Sequence, residues 1–377
     1  MNRIAITIIL LLGTLHVSAQ ESDSKKQSFI QKGLNWVKTL IDSSAVRGVD
    51  RSYIEQPKRP WAVEVRSDAS DAMLKMNADL DFGDGVKGTM TTVTEKGFTT
   101  SLGAWVGYRG YGFGWSKELS GGEGSTFSLG ATGGRFGINF RITKYRSNMP
   151  EFSYSFTEHG ENYKERFHEE IDDPISVRSL FIDGYYLFNG KHFSYAAAYD
   201  QSLIQRRSAG SLMAGMMYNH TSADYSDDSN WTWVWDMNGV GRLKFTQASV
   251  GLGYAYNWVP ARGWLISVLA MPTLTFFNRT TLYHYSFNFI TDKETFEEAL
   301  EEALENPEKA PFLEPDDVTI TSNKLTVNYD ARVAVVYNWQ RTYLRVYGHY
   351  NRFHFGNDHT WGRLYDWKVY AAFGFRF

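Results

Sequence analysis

The stretch 366-DWKVYAAFGFRF-377 decides the fold. Taking every second residue back from its end gives Phe377, Phe375, Phe373, Ala371, Val369 and Trp367, all apolar. The interleaved set is Arg376, Gly374, Ala372, Tyr370 and Lys368. Side chains alternate faces along a strand, so this stretch predicts a strand with one greasy face and one small or polar face. In water, a free edge carrying three alternate phenylalanines would invite aggregation. In a closed barrel within a bilayer the greasy face meets lipid, the edge pairs with the first strand, and no free edge remains.

Composition agrees with that architecture. The chain has 377 residues, enough for one large β domain or two ordinary ones. It has no Cys, which excludes disulfides and thiolate metal sites. Its net charge of -3 speaks against a nucleic-acid binder. Aromatic residues make up 16% and Gly numbers 33, as suits strands that carry interfacial girdles and must curve. The mean hydropathy is negative, as alternating strands produce and bundled membrane helices do not.

Residues 1–19 read as a signal peptide. Arg3 supplies the positive start, Ile4 to Leu12 the apolar run, and Val17-Ser18-Ala19 the small residues before cleavage at Gln20. The run is shorter than the about 20 residues a spanning helix needs, and no Cys near it would carry a lipid. Export to a bacterial outer membrane is the expected location. Residues 20–60 form an N-terminal periplasmic segment. Within it Phe29, Ile30, Leu34, Trp36, Val37, Leu40 and Ile41 fall at helical spacing, which predicts a short helix from Gln27 to Ile41. It reads either as an element packed under or inside the barrel, or as a loosely ordered leader. Residues 61–377 form the barrel.

From Trp61 onward the period is about two. Leu74 to Phe82, Phe98 to Tyr108, Tyr111 to Trp115, Phe127 to Ala131 and Phe136 to Ile142 all alternate, with Arg109-Gly110 and Gly133-Gly134 as turns. Later strands fall near Val177–Phe188, Phe245–Tyr256, Trp264–Phe276, Leu325–Asn338 and Thr342–Phe353. The polar stretches Arg146–Ile175, Thr221–Arg242 and Thr291–Asn323 read as outer loops, since periplasmic turns in such barrels are short. An even number of strands must lie between outer loops. Phe193 to His220 is therefore read as one long strand, interrupted near Gln205–Gly210. The fold class expected is all-β: a transmembrane antiparallel β-barrel of about twelve strands, with ten to fourteen as the bounds.

Asp292 to Asp317 predicts a short acidic helix in one outer loop. Its apolar face is Phe296, Leu300, Ala303 and Leu304, and its other face holds Glu297, Glu298, Glu301, Glu302 and Glu305. Such a helix reads as a solvated loop element, a lid over the pore or a binder of divalent cations. Asp224, Asp227 and Asp228 lack the Gly and distal Glu of a calcium loop. His349, His354 and His359 are five apart; an odd spacing on a strand points them to opposite faces and His359 falls in a loop, so no joint metal site is expected. No G-x-S-x-G, H-E-x-x-H or phosphate-binding Gly loop occurs. No cofactor and no enzymatic activity are expected, although a site assembled from separate strands would escape such motifs.

The polar positions in phase with the inner face are the candidate lumen residues: Asn139, Arg141, Asp183, Asp200, Asp330, Arg332, Arg345, His349, Lys368 and Arg376, with Asn328 beside them. On the lipid face a midplane Arg or Lys would cost about 2–4 kcal/mol. Their mixed sign suits paired networks or a weakly selective pore, and both a channel and a filled lumen stay open. The expected function is a passive pore or small-solute transporter. The alternatives are a closed barrel with a structural or surface-binding role, and a lipid or peptide hydrolase.

Phe373, Phe375 and Phe377 resemble the C-terminal signal of bacterial outer-membrane barrels, which implies recognition by the barrel assembly machinery. The stretches Asp50–Ile54 (DRSYI), Phe193-Ser194-Tyr195 and Gln205-Arg206-Arg207-Ser208-Ala209-Gly210-Ser211 resemble the uncharacterised barrel family known as domain of unknown function 4421. That resemblance implies a barrel and transfers no activity or site residue. The partners expected are outer-membrane lipid, lipopolysaccharide, the assembly machinery and a small solute, with no nucleic acid.

Overall fold

The computed structural model describes residues 46–81, 87–120, 123–147, 151–158, 161–168, 174–226, 234, 239–285, 316–321, 325–356 and 360–377. The expected signal peptide, the helix over 27–41, residues 292–315 of the acidic stretch, Asp227, Asp228 and His359 lie outside these residues, whereas Asp316 and Asp317 begin a strand.

In chain order the strands are β1 (Ile54–Glu55), β2 (Trp61–Asp81), β3 (Lys87–Glu95), β4 (Thr99–Tyr108), β5 (Tyr111–Ser120), β6 (Gly124–Thr132), β7 (Phe136–Ser147), β8 (Glu151–Glu158), β9 (Glu161–His168) and β10 (Ile175–Leu187). A single helical turn, α1 (Ala196–Tyr199), and β11 (Ile204–Gln205) follow. Then come β12 (Ala209–Asp224), β13 (Val240–Trp258), β14 (Trp264–His284), β15 (Asp316–Thr321), β16 (Thr326–Trp339), β17 (Thr342–Gly356) and β18 (Thr360–Arg376).

Twelve of these close a barrel of antiparallel neighbours, in the order β2-β4-β5-β6-β7-β10-β12-β13-β14-β16-β17-β18, with β18 pairing back to β2. The last strand is the closing seam. Its pairing with β2 runs from Arg376↔Ala62 to Thr360↔Ala78. Trp61 N donates to Phe377 O at 3.3 Å and Phe377 N to Trp61 O at 3.1 Å.

Alternation decides which side each residue faces. Val369, Phe373, Phe375 and Phe377 are exposed on the outer wall, while Ala372 and Arg376 are buried inside. The same rule puts Phe136 and Ile138 outside on β7, and Leu212 and Met216 outside on β12. Aromatic residues ring the end with the short turns: Trp61 lies 4.8 Å from Tyr108, and Trp264 4.8 Å from Tyr337. An apolar wall, an aromatic rim and a polar interior make this an outer-membrane barrel. The rim with the short turns is the periplasmic one. At Arg109-Gly110 both residues have positive φ (52 and 93), the geometry of a two-residue turn whose twist matches the flanking strands.

Two expectations need correction. The stretch Phe193 to His220 is not one interrupted strand: only Ala209–Asp224 is a wall strand. Phe193, Ser194, Tyr195, Ala196, Ala197 and Ala198 are all buried, so this segment has no lipid face. It turns into the barrel, and the strand parity is kept because β10 and β12 pair directly. The stretch Arg146–Ile175 is not simply a loop either. It carries the β8–β9 hairpin, which joins β3 and lengthens the sheet beyond the barrel on the outer side.

Candidate functional site: the filled lumen

The periplasmic end of the lumen is occupied by the connection from β10 to β12, residues 188–208. Three successive alanines favour the α1 turn there, and Ala197 N donates to Ser194 Oγ at 3.1 Å. Gln205 is the hook. Its Nε2 donates to His192 O at 2.6 Å and to Arg207 O at 2.8 Å. Its Oε1 accepts from Ser194 N at 2.9 Å and from Asn257 Nδ2 on β13 at 3.0 Å. The segment before the barrel fastens the other side. β1 pairs with β11, and Ile54 packs with Ala196 and Leu203. Asp50 N donates to Lys191 O at 2.9 Å, and the Tyr53 ring lies 4.5 Å from that of His192. The three stretches that carry the family resemblance thus meet in one small assembly beneath the barrel.

Above it stand charges paired within the lumen. Arg345 and Glu64 are both fully buried, 2.8 Å apart, and Glu64 also takes Tyr343 Oη–H at 2.7 Å and Arg66 at 2.6 Å. Arg345 also donates to Tyr199 O of the plug. Arg376 Nη2 reaches Gln201 O at 3.1 Å and Asn338 Oδ1 at 2.8 Å. Arg332 lies 2.7 Å from Asp330 and 3.2 Å from Asp183, and donates to Tyr195 Oη. Asn139 Nδ2 donates to Asp183 at 2.8 Å. One layer further out, Arg141 bonds both Asp366 and His349, and Lys368 lies 2.8 Å from Asp68. Asp200 sits in the plug, where its Oδ1 accepts from Ser202 N at 2.8 Å and Ser202 Oγ at 2.6 Å. Burial pushes its carboxyl above the usual range against those two donors.

Between these layers lies a cavity of about 150 Å³, lined among others by Arg66, Asp68, Arg141, Asp183, Arg332 and Lys368. Tyr185, Tyr195, Tyr199 and Tyr347 form a chain of tilted and edge-on rings on its plug side, with neighbouring ring centroids 4.2, 4.4 and 5.2 Å apart. On the outer side the inward faces are apolar. Phe245 stacks on Phe355 at 4.4 Å, Phe181 meets Phe353 edge-on at 5.7 Å, and Leu74, Met76 and Leu364 are buried beside them. Trp105 closes the wall by lying over glycines. A Cβ on Gly112 would fall 2.6 Å from its ring and one on Gly114 2.7 Å, so neither position accepts a side chain with the ring in place.

All ten sequence candidates point into this interior, nine from the wall and Asp200 from the plug. His354 faces away from His349, as their odd spacing requires, and accordingly the histidines form no joint site. Among the described residues no cluster of His, Asp and Glu could hold a metal ion. Sequence reading passed over the partners Glu64, Asp68 and Asp366. A signal existed: Glu64 and Asp68 interleave with outward Trp61, Val63 and Val65, and Asp366 is in phase with Lys368. The plug residues Tyr195, Tyr199, Gln201 and Gln205 had no such signal, because the segment leaves the wall.

No curated protein matches the chain. Solved outer-membrane proteins resemble it at low identity. The translocator domain of the autotransporter NalP from Neisseria meningitidis is 11% identical, with 94% of this chain and 97% of that chain covered and a TM-score of 0.30. The outer membrane protease OmpT from Escherichia coli is 9% identical, with 84% and 97% covered and a TM-score of 0.34. The outer membrane protein OprG from Pseudomonas aeruginosa is 10% identical, with 86% and 99% covered and a TM-score of 0.24. Residues 49–377 match the family described as domain of unknown function DUF4421, and the chain belongs to that family.

Proposed function

We propose that this outer-membrane barrel is closed at rest and does not act as a passive pore. The observation that carries this reading is the Arg345–Glu64 pair, fully buried against a plug that hydrogen-bonds to the wall on several sides. Charges of both signs neutralise one another within the lumen, and so supply no ring of one sign to select an ion. Purified protein in proteoliposomes is expected to pass small sugars and ions no faster than empty vesicles do. Flux well above that background from correctly folded protein would overturn the reading.

A second reading, small-solute transport with the plug displaced, is favoured by the polar cavity beside Arg141 and Asp366. It requires a trigger that withdraws residues 188–208. Replacing those residues by a short turn should then give a conducting barrel, whereas a purely structural barrel with its outer apolar layer intact would stay closed.

A further inference from the structure

The outer wall carries a basic row that the lumen does not explain. Outward-facing residues on β7 read Phe136, Ile138, Phe140 and Ile142, then change to Lys144 and Arg146. On β5 they read Phe113 and Trp115, then Lys117; on β10, moving outward, Ile182 and Leu180, then Arg178. Strand register puts these changes side by side. Lys117 opposes Ser125, Ser125 opposes Lys144, Lys144 opposes Arg178, Arg178 opposes Ser222, and Ser222 opposes Lys244. At the usual strand spacing this row runs about 24 Å along the wall. Two neighbouring depressions share Lys144, Arg146, Ser176 and Arg178.

This row stands at a cost. Lys144 and Arg178 are directly opposed like charges, which disfavour each other across a sheet. Among the described residues no carboxylate pairs with Lys117, Lys144 or Arg178. Asp224 is taken by Arg242, with Nε–Oδ2 at 2.8 Å, and Glu123 reaches Arg146 at 3.5 Å with both side chains exposed. The serines between the basic residues leave room over the backbone. The row also shares its face with Phe127, Ile142 and Leu180, so whatever covers it sits in the bilayer with its apolar part against them.

We infer that Lys117, Lys144, Arg146 and Arg178 form a binding site for the phosphorylated headgroup of an outer-leaflet glycolipid. Acyl chains lie on the apolar rows, and phosphates bridge Lys144 to Arg178 and neighbouring cations. The length of the row suits a headgroup with more than one phosphate. The inference goes beyond the closed-barrel reading and holds whether or not the lumen conducts.

The test is native mass spectrometry of the detergent-solubilised full chain, titrated with diphosphorylated lipid A, its dephosphorylated counterpart and inorganic phosphate. Wild-type protein is expected to retain the diphosphorylated lipid. Lys144→Gln/Arg178→Gln should bind it roughly 30-fold less tightly, from two lost basic contacts. Lys58→Gln/Lys191→Gln, with both changes before or within the plug, should bind like wild type. Equal binding by the Lys144/Arg178 variant would overturn the site. So would equal retention of the dephosphorylated lipid by wild-type protein, a comparison that stands even if the variant fails to fold. Competition by inorganic phosphate at matched concentration would assign the site to free phosphate and overturn the lipid as its occupant.

Discussion

Arg345 on β17 and Glu64 on β2 meet at 2.8 Å across the intervening strand β18, with no exposed surface on either side chain. Such a pair contributes little net stability against an apolar replacement, but breaking it deprives a buried charge of its main partner. In Arg345→Met, Glu64 keeps Arg66 and Tyr343 as its remaining partners. Those two partners hold the expected loss to the low end of about 3–5 kcal/mol, read as a lower midpoint for heat-dependent gel mobility in detergent. The double variant Arg345→Met/Glu64→Gln should recover most of it. If the single variant unfolds at the wild-type temperature, the pair does not hold the plug end together.

Gln205 is expected to control the plug without controlling the barrel. Its amide satisfies Ser194 N, Asn257 Nδ2, His192 O and Arg207 O. In Gln205→Leu these groups lose their shared partner, at about 1–3 kcal/mol for each left buried and unpaired. Hydrogen exchange should speed up across residues 192–207 while wall strands such as β13 keep their protection. Uniform protection in the variant would show that the plug is held by other contacts.

Asp200 gives the plug a pH dependence whose sign is fixed by burial. Its folded carboxyl is raised, so its contribution to stability is fully present below the unfolded value of about 3.9 and is lost as pH rises through the raised value. Asp200→Asn keeps an acceptor for Ser202 and removes the charge. The variant should therefore gain thermal stability over wild type as pH rises from about 4 to about 7, with the difference vanishing at the acid end. A difference that does not change with pH would mean that Asp200 carries its charge at no cost in the plug.

The wall was legible in the sequence because one rule, alternation, governs every wall residue. Phe377, Phe375 and Phe373 lie outside and Arg376 inside because lipid and lumen lie on opposite faces of one strand. The count of twelve followed from the same rule and from the parity of long loops. The plug was not legible. Phe193, Tyr195 and Ala197 alternate with Ser194 and Ala196, yet both sets are buried, since inside the lumen neither face meets lipid. The charge pairs were legible only by half. Alternation places Arg345 and Lys368 inside, but their partners Glu64 and Asp68 lie far away in sequence, and only barrel closure brings β2 beside β18.

That closure bears on the terminal phenylalanine. The seam at Phe377 is made by backbone: its N and O both bond Trp61. Its side chain lies on the lipid face beside Phe375, at 6.4 Å between ring centroids, and fills no core. Phe377→Ser should therefore leave the finished barrel nearly as stable as wild type. If the side chain serves as a signal to the assembly machinery, the variant should reach the outer membrane in several-fold lower amount. Refolding from urea into detergent, which uses no machinery, should give equal yields for both proteins. An equal drop in detergent refolding would place the defect in the seam itself and remove the assembly role from Phe377.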